Sequence, residues 1–168
     1  MKHVDLKITT VLERWGEAHL SALWRFGAAY ALGWFVLEAF GFLFVMPITK
    51  WVFFLGSAMA IYFLTLVIQL IVRRARPVHH RAQPFRLGVH TFSFPSAHSS
   101  TSFGCAVLGS AAALAYAPEL AGVLITLNFF VAAFIAVSRV FVGVHFVGDV
   151  IVGALLGTLA GMLFAGVL

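Results

Sequence analysis

The chain has 168 residues, of which 62% are hydrophobic and 10% charged, with a formal net charge of +5. A soluble domain carries about a quarter charged residues, so an ordinary water-soluble domain and a disordered chain are both excluded, and an integral membrane protein is the class that remains. The single cysteine, Cys105, excludes an intramolecular disulfide framework and a cysteine-rich metal site; its apolar surroundings read as those of a small core residue.

In chain order, residues 1–21 are mixed. Val4, Ile8, Val11, Leu12 and Trp15 recur at helical spacing, with Lys7, Glu13, Arg14 and Glu17 mostly between them, which predicts an amphipathic helix in the membrane interface. Charges continue to Arg25, unlike the single short apolar core of a secretory signal. Five apolar runs follow, each predicted to be a transmembrane helix. Phe26 to Met46 is interrupted by Glu38 and ends at Pro47 and Lys50. Trp51 to Val72 holds 22 residues without a charge, which at ~1.5 Å per residue spans a hydrocarbon core of about 30 Å. The segment 73–94 is rich in Arg, His and Pro. The third run goes from about Ser99 to Ala117, the fourth from Leu120 to Val137, and the fifth from about His145 to Leu168, whose Gly and Ala residues suit close helix packing. The expected fold is therefore all-α: a single domain over 1–168, a polytopic helix bundle of about five spans plus the interfacial helix. No internal repeat or second domain is legible.

Five spans place the N-terminal helix, the 73–97 loop and the 138–145 link on one side of the membrane. All Lys and Arg residues except Lys50, ten of eleven, then lie on that side. They sit at the ends of hydrophobic runs, which suits anionic lipid or a phosphate-bearing substrate and not nucleic acid.

The same side collects three polar clusters. Arg73, Arg74, Arg76 and Pro77 follow the second span; Pro95-Ser96-Ala97-His98-Ser99-Ser100 opens the third; Ser138-Arg139, His145 and Asp149 bridge the fourth and fifth. Each has a bland reading. Arginines at a helix end anchor it to the interface, and Ser96 after Pro95 is a good helix cap. Together they assemble a chemistry. His145 and Asp149, four apart, share a helix face. A carboxylate on one imidazole nitrogen leaves the other as nucleophile or base. His98 is placed to protonate a leaving group. Ser96 and the N–H groups of that helix start suit anionic oxygens, and Arg76 and Arg139 add planar forks matched to phosphate. This inventory serves in-line displacement at phosphorus without a metal.

The pattern resembles the type-2 phosphatidic acid phosphatase superfamily, which includes lipid phosphatases, glucose-6-phosphatases and vanadium haloperoxidases. Its signature has three parts: K-x6-R-P, P-S-G-H and S-R-x5-H-x3-D. The third is complete here as Ser138-Arg139-x5-His145-x3-Asp149, the second reads Pro95-Ser96-Ala97-His98, and the first ends at Arg76-Pro77 with Gln69 in the lysine place. The motifs cover residues 69–149. The resemblance implies that His145 attacks phosphorus and forms a phosphohistidine, Asp149 orients it, and His98 protonates the leaving oxygen. It further implies that Arg76, Ser96, Arg139 and the Ala97 N–H hold the phosphate, with no metal or other cofactor. Two departures bear on the pocket. Alanine at 97 is harmless in a helical conformation and costly at positive φ. Gln69 removes one positive charge; Arg73, on the same face as 69 and 76 if the helix continues, is a candidate to replace it.

The expected activity is hydrolysis of a phosphate from a membrane lipid phosphate or diphosphate. A polyprenyl diphosphate such as undecaprenyl diphosphate is favoured on size and family grounds, with phosphatidate or phosphatidylglycerol phosphate as alternatives. A small transporter using Glu38 and Asp149, or an inactive lipid-phosphate binder, is the competing class. A haloperoxidase does not fit so hydrophobic a chain. The expected location is a bacterial plasma membrane with an extracytoplasmic active site, as is usual for the family, although the charge count favours the cytoplasm. Glu38 reads equally as a structural acid, an inter-span pair or part of the cleft. His79, His80 and His90 read as loop residues and not as metal ligands, and Phe92 and Phe94 as packing against the bilayer.

Overall fold

The computed structural model describes residues 2–77 and 92–168, with side chains from Asp5 onward. His79, His80 and His90 lie outside the described residues. Every regular element described is a helix: α1 (Lys2–Ala18), α2 (Ser21–Ala29), α3 (Gly33–Phe42), α4 (Ile48–Val72), α5 (Ala97–Tyr116), a 3-10 turn (Pro118–Leu120), α6 (Ala121–Phe141) and α7 (Val147–Ala165). The all-α membrane bundle expected from composition is the fold. By length and composition three of the five expected spans qualify: Ile48–Val72, Pro118–Phe141 and Val147–Ala165. The other two are α2–α3 and α5.

The first apolar run is two short helices and not one. Between them the bonding tightens to i→i−3, with Gly33 N on the Tyr30 carbonyl at 2.9 Å and Trp34 N and Phe35 N on Ala31 and Leu32 at 3.1 Å. Gly33 weakens the helix by about 1 kcal/mol relative to alanine, and the break leaves the last carbonyls of α2 without helical partners. One of them, Ala28, is taken up by the site.

α5 is the centre of the bundle and packs against α7, α6, α4 and α3. Its Ser99, Ser100, Ser102 and Ser110 are buried among protein and not lipid. The tightest contact is with α7, where Gly153, Gly157 and Gly161 repeat every four residues. A Cβ at Gly157 would collide with the Ser100 carbonyl oxygen, and one at Gly153 would come within 2.6 Å of the Ser96 carbonyl oxygen. Small residues thus bring two backbones together and set the start of α5 beside the start of α7.

The two ends of the bundle differ. Lys50 Nζ donates to the Val167 carbonyl at 2.5 Å and the Tyr116 hydroxyl to the Leu168 carbonyl at 3.0 Å, at one end. The three polar clusters and α1 occupy the other. α1 turns Ile8, Val11 and Trp15 outward, where lipid would meet them, and Asp5, Thr9 and Glu13 toward the protein. Mid-bundle, Glu38 ties α3 to α6: Asn128 Nδ2 donates to its Oε1 at 2.7 Å, and Trp34 Nε1 donates to Asn128 Oδ1 at 2.7 Å.

Candidate active site

α4 stops at Arg73, which adopts a left-handed conformation (φ 52°) and gives its N–H to the Gln69 carbonyl. The chain therefore leaves the helix before the arginine cluster. Arg73 stays exposed, with Nε on the Leu70 carbonyl at 2.9 Å. The expectation that it would replace the missing lysine charge on a continuous 69–73–76 face is corrected, because that face ends at 72. Arg74 and Arg76 turn inward instead. Ser93 N bonds the Arg74 carbonyl at 2.8 Å and the Ser93 hydroxyl the Ala75 carbonyl at 3.1 Å, tying 74–76 to the segment before α5.

The link from α6 to α7 is a tight turn. Gly143 sits at φ 68°, a region that favours glycine, and Val144 N and His145 N both approach the Arg139 carbonyl, at 3.2 and 3.3 Å. This drives His145 inward until 1% of it is exposed. Its Nδ1 lies 2.8 Å from the Ser93 carbonyl oxygen. A carbonyl only accepts, so Nδ1 carries the proton and Nε2 keeps its lone pair. Nε2 faces Arg76 Nη1 at 3.2 Å, and the same Nη1 donates to the Val144 carbonyl at 3.2 Å. Asp149 is fully buried, but its Oδ2 is 3.7 Å from His145 Nδ1, beyond a hydrogen bond. Oδ2 instead accepts from Phe146 N at 3.0 Å, and Oδ1 from Arg74 Nη1 at 2.7 Å. The direct hold on the imidazole is thus the Ser93 carbonyl, while Asp149 acts through charge and through the turn.

Burial, with the Arg139 and Arg76 guanidiniums, holds the His145 imidazole well below its ordinary value, and the Ser93 carbonyl pulls the other way. Burial also lowers Arg76, opposed by Asp149. Arg139 is 3% exposed; its Nη1 donates to the Ala28 carbonyl at 2.8 Å, its Nε is buried without a hydrogen-bond partner, and no carboxylate among the described residues pairs with it. His98, half-buried on the first turn of α5, is close enough to Arg139, His145 and Arg76 for their charges to act on it. A buried guanidinium beside Arg76 and two imidazoles is an electropositive setting suited to an anionic group.

Ala97 is the first residue of α5 and is not among the positive-φ residues, so the alanine costs nothing in backbone strain. Ser96 caps α5: its hydroxyl accepts from Ser99 N at 3.4 Å and from the Ser99 hydroxyl at 3.0 Å, and its own proton remains to donate. Gln69 is buried and gives Nε2 to the Pro95 carbonyl at 2.7 Å, so it braces the 95–98 turn.

Residues 50–167 match the family described as the PAP2 superfamily. The chain belongs to that superfamily. It is 31% identical over 138 residues to the decaprenylphosphoryl-5-phosphoribose phosphatase of Mycobacterium tuberculosis, covering 79% of this chain and 70% of that one. Two solved structures share the fold. One is a PAP2-type phosphatidylglycerolphosphate phosphatase from Bacillus subtilis (TM-score 0.79, 24% identity, 99% of this chain and 85% of that one). The other is LpxE of Aquifex aeolicus (TM-score 0.63, 22% identity, 96% and 94%). As a PAP2 protein the chain is a membrane phosphatase.

Around this PAP2 site stand residues to which sequence reasoning gave no role. Ser93 acts through its backbone, which leaves no mark in the sequence. In the sequence Arg74 reads only as one member of a basic cluster. Asp5, Thr9 and Glu13 are polar at i, i+4 and i+8, a stripe legible beside the apolar one.

Proposed function

We propose that this PAP2 enzyme hydrolyses a phosphate from a lipid phosphate through a phosphohistidine at His145, and that the lipid is a polyprenyl carrier. The observation that carries the reading is the imidazole itself, whose Nδ1–H is fixed on the Ser93 carbonyl while Nε2 is aimed at Arg76. The Nε2 lone pair attacks phosphorus as the bond to the leaving oxygen breaks, and His98 supplies the proton that oxygen needs. Water then attacks phosphorus, His98 takes the water proton, and the N–P bond breaks to release inorganic phosphate and restore Nε2. Arg76, Arg139, the Ser96 hydroxyl and the Ala97 N–H take the phosphate oxygens, and Asp149 opposes the positive charge of the phosphoimidazolium.

The polyprenyl reading draws support from the mycobacterial relative, whose name carries a decaprenylphosphoryl group. A diphosphate such as undecaprenyl diphosphate is one form of it. The charge of the pocket favours a terminal phosphomonoester. Two guanidiniums match its two charges, and Gln69, engaged with Pro95, adds none. The test is phosphate release by purified protein in detergent with EDTA, comparing decaprenylphosphoryl-5-phosphoribose, undecaprenyl diphosphate, phosphatidate and phosphatidylglycerol phosphate, with His145→Ala as control. The reading predicts EDTA-insensitive release from a polyprenyl substrate that the variant abolishes. Faster release from phosphatidate or phosphatidylglycerol phosphate would sink the polyprenyl assignment. Release that persists in the variant would sink the mechanism.

A further inference from the structure

We infer that Arg74 is a positioning residue for the nucleophile and that Asp5 of α1 holds it in place, so that the interfacial helix forms part of the catalytic frame. The inference rests on the proposal that His145 is the nucleophile.

Arg74 uses its two terminal nitrogens on two different carboxylates. Nη1 donates to Asp149 Oδ1 at 2.7 Å and Nη2 to Asp5 Oδ2 at 2.8 Å, while the guanidinium carbon lies 3.9 Å from the Phe146 ring centre. Asp149 is fully buried, so losing its cation would leave a carboxylate in low dielectric with the Phe146 N–H and the nearby Ser93 hydroxyl. It would then take up a proton or swing toward His145 Nδ1, now 3.7 Å away. Either outcome disturbs the imidazole that Ser93 holds.

α1 reaches the same turn at three more points. Asp5 Oδ1 accepts from Gly148 N at 3.3 Å, and Thr9 Oγ1 accepts from Val147 N at 3.4 Å. These are the first two N–H groups of α7, which have no partner within the helix, and Phe146, the residue before them, has no side-chain acceptor with which to cap them. α1 therefore caps α7 from outside. Glu13 lies against Gly143, where any Cβ would strike its carboxylate. Asp5, Thr9 and Glu13 thus touch the turn at 148, 147 and 143, on both sides of His145. A helix serving only as a membrane anchor needs its apolar face in lipid and no polar residues packed against the protein. Here Thr9 and Glu13 are buried, at a desolvation cost that contact with the turn offsets.

The test uses the full chain in detergent with a lipid that the wild type hydrolyses and His145→Ala does not. Arg74→Gln should lower kcat roughly tenfold to a hundredfold and leave KM within about twofold, because Arg74 bonds Asp149 and Asp5 and not the phosphate-binding groups. Arg74→Lys should recover part of the loss, since an ammonium keeps the charge without the fork. Asp5→Asn should lower kcat less, and the double variant should be no worse than Arg74→Gln alone. Wild-type kcat in Arg74→Gln, a rise confined to KM, or losses that multiply in the double variant would each overturn the proposal. If Arg74→Gln does not fold, the comparison runs on Arg74→Lys and Asp5→Asn. If the wild type releases no phosphate from any lipid, it is the functional reading that has failed. The strut is then judged by hydrogen exchange alone: the peptide carrying Val147 and Gly148 should exchange faster in Asp5→Ala, which removes the acceptor, and unchanged exchange would refute it.

Discussion

The site depends on one imidazole kept neutral and correctly protonated. Burial and the cations Arg76 and Arg139 both disfavour the charged form of His145, so its titration lies below the ordinary histidine value of about 6.5. His98 and Asp149 are the other ionisable groups around it. As the proposed nucleophile, His145 is lost only when Nε2 gains a proton. The acid limb of phosphoenzyme formation, followed by single-turnover kinetics, should therefore lie on the acid side of the ordinary histidine value of about 6.5; a limb at or above pH 7 would contradict this environment. At Gln69 the amide nitrogen bonds Pro95 and the oxygen has no partner, so a lysine there keeps the donor and forfeits no acceptor. Gln69→Lys should retain kcat on a phosphomonoester and lower KM for a diphosphate. A large loss of kcat would give glutamine a task beyond bracing the turn. The proposed site is legible where its side chains are motif residues: Arg76 lies 3.2 Å from His145, and their charges with that of Arg139 reach His98. Ser93 was not legible, since a carbonyl leaves no trace in residue type. Arg73 misled because its left-handed exit depends on where Arg74 and Arg76 are anchored, which is tertiary information.

At the scale of elements, the hydrophobic runs located α4 to α7 to within a few residues, because a long apolar run bounded by Pro, Arg or Gly leaves few alternatives. The break between α2 and α3 was hidden, since Gly33 alone does not end a helix. The seam between α5 and α7 yields a test by contrast. Gly157 has no room for a Cβ, whereas Gly56 of α4 faces open space. Gly157→Val should lower the thermal unfolding midpoint in detergent by an amount equivalent to about 1–3 kcal/mol. Gly56→Ala should raise it by up to about 1 kcal/mol. Equal effects would mean that the close approach of the two helices is not what stabilises the bundle.

At the scale of the whole molecule, the bundle gathers the motif residues at one end and other polar contacts elsewhere. Glu38 belongs to the second group through Asn128 and Trp34, a pairing no local pattern could show because the partners are about ninety residues apart in sequence. The chemical end is proposed to face the outside of a bacterial plasma membrane. A cysteine introduced at the exposed Arg73 in a Cys105→Ser background should react with a membrane-impermeant reagent added to intact cells. Protection until lysis would reverse that orientation.

The claim on which the rest depends is a covalent bond between phosphorus and His145 Nε2. It is tested by acid- and base-quenching the enzyme during turnover of a lipid carrying radiolabelled phosphate, then locating the label. The account predicts label on protein that survives base, is lost in acid, maps to the peptide carrying His145 and is absent from His145→Ala. Label that maps to another residue, or label on protein that persists in His145→Ala, would contradict it.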